Sequence, residues 1–383
     1  VSIFIADLLY GYSDPRVRTG TNSWELNRIR ESVKNMLKIK EMDKKNLIFI
    51  LIDGGRVDYA IGSKIFSNLK RKSSFLSQAI TYAPYTVSSM HAMFTGTYGT
   101  KTGVNSYFSG SSFKNNEYKT LTEYLHDKKY YTKADVLKWK GGLIIPKNGF
   151  DEITMYDEDK DDLKERHKNI IKNIRKESDG EKFFLYLHCS EIHTEIKNKI
   201  LNRYQNHSKE FFENNRENIN RYKKIFGKAE EYLDSILNEI RQQGMENDSL
   251  ILVASDHGVS QGEKIGEHTY GAFCYDYTLR TFAFFILNEL PKKEIKQQTR
   301  TIDFLPTILD YLDIEQDKKY KKIDGMSLIP LFQGKKISEK TAFSETGNPL
   351  YEKDLPKNPN TFSIRTSKWK LIYNEHNKTE ELY

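Results

Sequence analysis

The chain has 383 residues, 38% hydrophobic and 30% charged, and carries a net charge of +7. That length builds one large domain, or a large one and a small one, and no run of about 18 apolar residues is present to cross a membrane as a helix. Its two cysteines, Cys189 and Cys274, exclude a disulfide scaffold. Two thiols fit a reducing cytoplasm, while a periplasmic or surface location stays open because a chain that starts at Val1 can have been trimmed. The basic excess suits an anionic ester substrate, whether a small molecule, a glycan or a lipid head group. No nucleic-acid partner is expected, and nothing fixes the oligomeric state.

Residues 1–45 are polar and mixed, with a charged helical pattern near Glu25–Lys40, and are expected to form a leader packed on the main domain. Leu47–Ile52 is an unbroken apolar run, the pattern of a central strand buried on both faces, and it stops at Asp53-Gly54-Gly55. An Asp there lies on the sheet edge where α/β proteins bind ligands. The stretch A-P-Y-T-V-S-S-M-H-A-M-F-T-G at 83–96 predicts a loop that turns into a helix with Thr86 as N-cap, its hydroxyl facing the positive helix end. Thr120–Lys129 reads as a helix from Leu121, Tyr124 and Leu125, Tyr130–Leu137 as a strand, and Asp159–Lys176 as a charged surface helix. Phe183–Leu187 is a second buried strand, ending in His188-Cys-Ser-Glu191-Ile-His193.

Tyr222–Gln243 predicts a helix with one apolar face, stopped by Gly244. Ser249–Ala254 is a third buried strand, and it ends in Ser255-Asp256-His257-Gly258, with Gly266-Glu267-His268 after a loop. Phe282–Leu287 follows as a strand and Ile302–Tyr311 as a helix interrupted by Pro306. The alternation predicts an α/β domain over 46–338, a mostly parallel central sheet flanked by helices. From about Glu339 the pattern changes to short strands, Phe362–Arg365 and Trp369–Tyr373, which predicts a small C-terminal antiparallel subdomain over 339–383.

Parallel strands bring their C-terminal ends to one edge, so Asp53, His188, Glu191, His193, Asp256 and His257 can converge beside Thr86. Two carboxylates and an imidazole suit a divalent ion, Mn, Zn or Mg rather than Ca, which prefers all-oxygen cages. Such an ion lowers the pKa of a hydroxyl that could not otherwise attack at neutral pH.

With these residues in view, the sequence resembles the sulfatase branch of the alkaline phosphatase superfamily from Asn46 to the end. I-D-G-G-R-V-D at 52–58 is similar to that family's first metal-binding Asp segment, and 83–96 to its nucleophile segment. K-W-K-G-G…G-F-D at 138–151 is similar to K-W-H-L-G…G-F-D, H-C-S-E-I-H at 188–193 to H-x-x-D-P-H, and S-D-H-G…G-E-H at 255–268 is the most specific match. D-F-L-P-T-I-L-D and D-G-M-S-L-I-P-L at 303–331 resemble the closing helix and loop. The final E-L-Y is similar to the start of a tail motif, which implies a cut there.

The resemblance implies that Asp53, Asp256, His257 and Thr86 hold a metal and that Thr86 is the nucleophile of a covalent intermediate. His193 and His268 would serve the leaving group or a second ion, Lys138 would pair with the substrate anion, and His188, Ser89 and Glu191 would contact substrate. Sulfatases proper carry Cys or Ser in C-x-P-x-R, oxidised to formylglycine; here Thr86, Ser88 and Met90 stand at those positions. A Thr cannot give that aldehyde, which implies direct attack on a phosphate ester before a sulfate ester. Lys140 stands where the family has His, and Glu191 where it has Asp. The reading is a metal-dependent hydrolase or transferase of phosphate esters; its alternatives are a phosphoethanolamine- or phosphoglycerol-type transferase on a surface glycan or lipid, and a non-catalytic binding protein.

Overall fold

The computed structural model describes residues 45–139, 142–204, 208–287, 289–347, 358–375 and 377–383. The expected leader, its helix at Glu25–Lys40 and Lys140 lie outside the described residues. The main sheet has nine strands: β1 Asn46–Ile52, β2 Ser74–Ile80, β3 Tyr131–Leu137, β4 Glu152–Tyr156, β5 Phe183–Cys189, β6 Ser249–Ser255, β7 Arg280–Ile286, β8 Lys293–Ile295 and β9 Thr299–Arg300. Their order is β4-β3-β5-β1-β6-β7-β2-β8, with β9 also on β2. Every pairing is parallel except those of β7. The reversal has a simple cause: no crossover helix separates β6 from β7, so the chain turns back from the edge where β6 ends.

The helices are α1 Val57–Gly62, α2 Lys64–Lys70, α3 Thr86–Thr95, α4 Leu121–Asp127, α5 Leu163–Glu177, α6 Glu191–Ile196, α7 Asn215–Gln242 and α8 Phe304–Tyr311, besides shorter turns. Strands β1, β5 and β6 are buried at every residue, as their unbroken apolar runs require. Capping explains several boundaries. Thr120 and Glu123 close a capping box that starts α4, and the Asp162 side chain accepts from the Glu165 N–H to start α5. Pro306 does not interrupt α8 as expected, because it falls in the first turn, where its missing N–H would have no intrahelical partner. Helix α7 begins seven residues before the predicted Tyr222, since its polar start at Asn215 hides the periodicity.

The C-terminal strands β10 Ala342–Thr346, β11 Thr361–Arg365, β12 Lys370–Asn374 and β13 Thr379–Leu382 form a separate antiparallel sheet in that order. It braces the approach to α3: Ser344 Oγ donates to the Thr81 carbonyl at 2.7 Å and the Glu345 N–H to the Tyr82 carbonyl at 3.1 Å. The Tyr82 hydroxyl donates to the buried Glu345 carboxylate. Burial raises the Glu345 pKa from 4.5 to about 7 against that hydrogen bond. The folded state therefore binds a proton that the unfolded chain releases between those values, so this group's stabilisation is full below pH 4.5 and lost as pH rises through 7. Glu345→Gln is expected to shrink the stability difference between pH 5 and pH 8 by up to about 3 kcal/mol. Urea unfolding at the two pH values checks it, and an unchanged difference in the variant refutes it.

Candidate active site

The register of the central strands assembles the site. Ile52 pairs with Cys189 on one side and Ser255 on the other, so the three chains leave the sheet side by side and Asp53 stands next to Asp256. Gly54 turns the chain with φ +72°, a conformation that favours glycine, and its N–H donates to Asp256 Oδ1 at 3.1 Å. The His257 N–H donates to the same oxygen at 2.9 Å. His257 Nδ1–H donates to the Gly258 carbonyl at 2.8 Å, which leaves Nε2 as a lone pair facing the site. Gly258 admits no larger residue, since a Cβ there would lie 2.1 Å from the Tyr277 carbonyl oxygen.

Thr86 enters from the other side. It is the first residue of α3, with Tyr85 rather than Thr86 as N-cap, and no side chain caps the helix. The first-turn N–H groups therefore remain available to an anion. Thr86 is partly exposed, whereas the rest of the helix is buried. Its Oγ1 lies 3.4 Å from Asp53 Oδ2 and 3.4 Å from His257 Nε2. Ser89 Oγ donates to the Ala83 carbonyl at 2.7 Å and accepts from Thr81 at 3.0 Å; Ser88 Oγ donates to the Tyr85 hydroxyl. Both serines thus hold the helix to its approach, which leaves Thr86 facing the cluster.

Asp53, Asp256 and His257 offer ligand atoms within 4.8 Å of one another and are buried. Asp53 Oδ1 and Asp256 Oδ2 are buried without hydrogen-bond partners and lie 3.5 and 3.6 Å from His257 Nε2. Two orphaned carboxylate oxygens beside an imidazole lone pair suit ligands that share one ion with bonds of about 2.1 Å. Burial raises the Asp256 pKa, and the Asp53 charge adds to that rise. For Asp53, burial pushes the same way, but the His188 hydrogen bond and the nearby histidines overcome it and hold the carboxyl well below the usual range.

The other sequence-predicted residues divide. His188 is fully buried behind Asp53, with Nε2 3.1 Å from Asp53 Oδ2 and Nδ1 3.3 Å from the Tyr186 hydroxyl. His193 reaches the cluster, 3.8 Å from Asp53 Oδ2, and keeps 19% of its side chain exposed. Glu191, the first residue of α6, is half-buried with Lys228, Glu195, Asp162 and Lys164 as its charged surroundings. His268 packs edge-on against Phe211 and flat against Phe212. Among the described residues, no second cluster of three ligand groups joins His193 to His268. Lys138 is exposed where β3 ends.

Sequence reasoning missed two tyrosines. The Tyr270 hydroxyl lies 3.3 Å from His193 Nδ1 and its ring 4.6 Å from that of His257. Tyr107 hydrogen-bonds to Tyr270, and burial with the Asp53 charge pushes its pKa to about 12. Tyr270 follows His268 by two residues, a neighbourhood that could have flagged it; nothing near Tyr107 in the sequence signals its place.

The sulfatase family profile matches residues 45–314. The chain belongs to the sulfatase family. That places it in the alkaline phosphatase superfamily; sulfatase-family enzymes are metal-dependent, and the buried Asp53/Asp256/His257 cluster could hold an ion. No curated protein matches the sequence. Among solved structures it is similar to a 2-O GAG sulfatase (17% identity, 89% of this chain and 85% of that one, TM-score 0.70). It is also similar to the phosphonate monoester hydrolases of Silicibacter pomeroyi (15% identity, 89% of each chain, TM-score 0.69) and Agrobacterium radiobacter (14% identity, 89% of each chain, TM-score 0.69). At these identities the likeness is one of fold.

Proposed function

We propose that this sulfatase-family chain cleaves phosphate esters by in-line attack of Thr86. One observation carries the reading: Thr86 Oγ1 stands at an uncapped helix N-terminus, 3.4 Å from two of the three members of the metal-ligand cluster. Asp53, Asp256 and His257, with Thr86, would hold the metal ion. When bound, the ion lowers the pKa of the threonine hydroxyl and offsets the charge of the transferred group. Thr86 Oγ1 then bonds to phosphorus as the ester O–P bond breaks, and the hydroxyl proton passes to solvent. The first-turn N–H groups of α3 hold the equatorial oxygens, with Lys138 as the proposed outer cation.

His193, partly exposed and steadied by Tyr270, gives a proton to the departing alcohol oxygen. Water hydrolyses the phosphothreonine in a hydrolase; an acceptor hydroxyl takes the group in a transferase. The phosphonate monoester hydrolases among the structural neighbours support phosphorus chemistry on this fold. The experiment is a screen of the metal-loaded protein on aryl phosphate monoesters, aryl phosphate diesters and aryl sulfates. Turnover of a phosphate ester above that of any sulfate is expected. Sulfate turnover with none on phosphate esters would refute the reading.

A further inference from the structure

Beside the reacting groups lies an aromatic rim that the mechanism does not use. Phe108 is 57% exposed and is the only exposed phenylalanine among the described residues. Its ring lies nearly parallel to that of Trp139, with centroids 5.9 Å apart and planes 12° apart. Tyr107 meets both edge-on, at 5.1 Å to Phe108 and 5.6 Å to Trp139. The hydroxyl of this same Tyr107 bonds Tyr270, which contacts His193 and His257. The rim is therefore two side chains away from the proposed proton donor.

The loop that carries it is fixed rather than loose. Ser109 Oγ donates to the Ser106 carbonyl and accepts from the Ser106 N–H, each at 2.9 Å. Ser88 on α3 donates to the Ser106 carbonyl at 3.4 Å, and the Tyr85 hydroxyl to the Asn105 carbonyl at 3.3 Å. The helix that presents Thr86 and the loop that presents Phe108 thus share their anchors. An exposed large aromatic forgoes burial, and one held in place next to a site gains it back when a ligand covers it. A stable protein partner would need on the order of 800 Å² on this side, far more than two rings offer. A stacked pair is extended most favourably by a third flat ring.

We propose that Phe108 and Trp139 form a stacking subsite for a planar aromatic ring, aryl or nucleobase, carried on one alcohol arm of the phosphoester. The substrate class is then an ester with an aryl or nucleoside arm, rather than one with alkyl or glycosyl arms alone. The inference rests on the phosphoester reading above, but its test does not require turnover.

Ethyl-, cyclohexyl- and phenylphosphonic acid and a C–P-linked thymidine phosphonate contain no ester to cleave, so their binding to the metal-loaded protein can be measured by calorimetry and by Trp quenching. Phenylphosphonate is expected to bind about tenfold more tightly than ethyl- or cyclohexylphosphonate. Phe108→Ala and Trp139→Ala should bring that ratio to about one, while Phe108→Tyr keeps it. A matching gain for the thymidine analogue identifies a nucleoside arm; a gain for phenyl alone identifies a simple aryl arm. Equal affinity for phenyl and cyclohexyl, a ratio that survives Phe108→Ala, or no binding of any ligand overturns the subsite. Phosphate-ester turnover without a ring preference overturns the subsite alone; ring-selective binding without turnover upholds it and removes the proposed activity.

Discussion

Thr86→Ala is expected to lower turnover of the best phosphate ester on the order of a thousandfold or more. The covalent route disappears with the hydroxyl, while Asp53, Asp256 and His257 keep their places on the strand ends and continue to bind metal. Ser88→Ala and Ser89→Ala should each cost about tenfold or less, because each removes a hydroxyl that steadies α3 rather than an atom that reacts. Ser89 is the larger of the two, since its bonds to Ala83 and Thr81, at 2.7 and 3.0 Å, are shorter than those of Ser88 to Tyr85 and Ser106, at 3.3 and 3.4 Å. Rates for the three variants, with metal content measured in each, give the comparison. Phosphoryl label on a peptide at Ser88 or Ser89 after a substrate pulse, or near-normal rates in Thr86→Ala, would refute the assignment.

The second large effect concerns the metal. Two buried carboxylates repel each other when nothing lies between them; burial is the main cause of the raised Asp256 pKa, and the Asp53 charge adds to it. A divalent ion relieves it and binds only the folded state, so it should stabilise wild type by about 4 kcal/mol at a thousandfold excess over Kd. Chelation is expected to abolish turnover and lower the Tm. Asp256→Asn removes one ligand and the repulsion together. It should lose the ion and activity, on the order of a thousandfold, and its Tm should no longer respond to chelator. Elemental analysis and melting with and without chelator check both parts. Wild-type metal content in Asp256→Asn, or rates and a Tm indifferent to chelation, would sink the proposed centre.

Much of this was legible from local chemistry. An unbroken run such as Leu47–Ile52 has no solvent-facing alternate, so it specifies a strand covered on both faces, and three such strands specify the sheet's centre. Polar, metal-capable residues just past those runs mark the sheet edge where ligands bind. Boundaries were less legible where one local rule masked another. Pro306 reads as a helix breaker by type and is harmless by position, and Asn215 starts a helix whose apolar face begins later.

The sequence by itself determined the mostly parallel α/β core, with Asp53, Asp256 and His257 just past strand ends and Thr86 at a helix start, because each of these depends on hydrophobic period and on element ends within a few residues; the resemblance, not the periodicity, singled out those three as candidate ligands. Only the tertiary structure decided which histidine is buried and which is open to solvent. His188 and His193 are five residues apart, yet one is sealed behind Asp53 and the other opens to solvent, because β5 ends between them and α6 turns the chain outward. The same holds for Tyr107 and Tyr270. Their meeting depends on a loop after α3 and a loop after β6 closing over one sheet edge, and contacts between segments 163 residues apart leave no periodic trace in either.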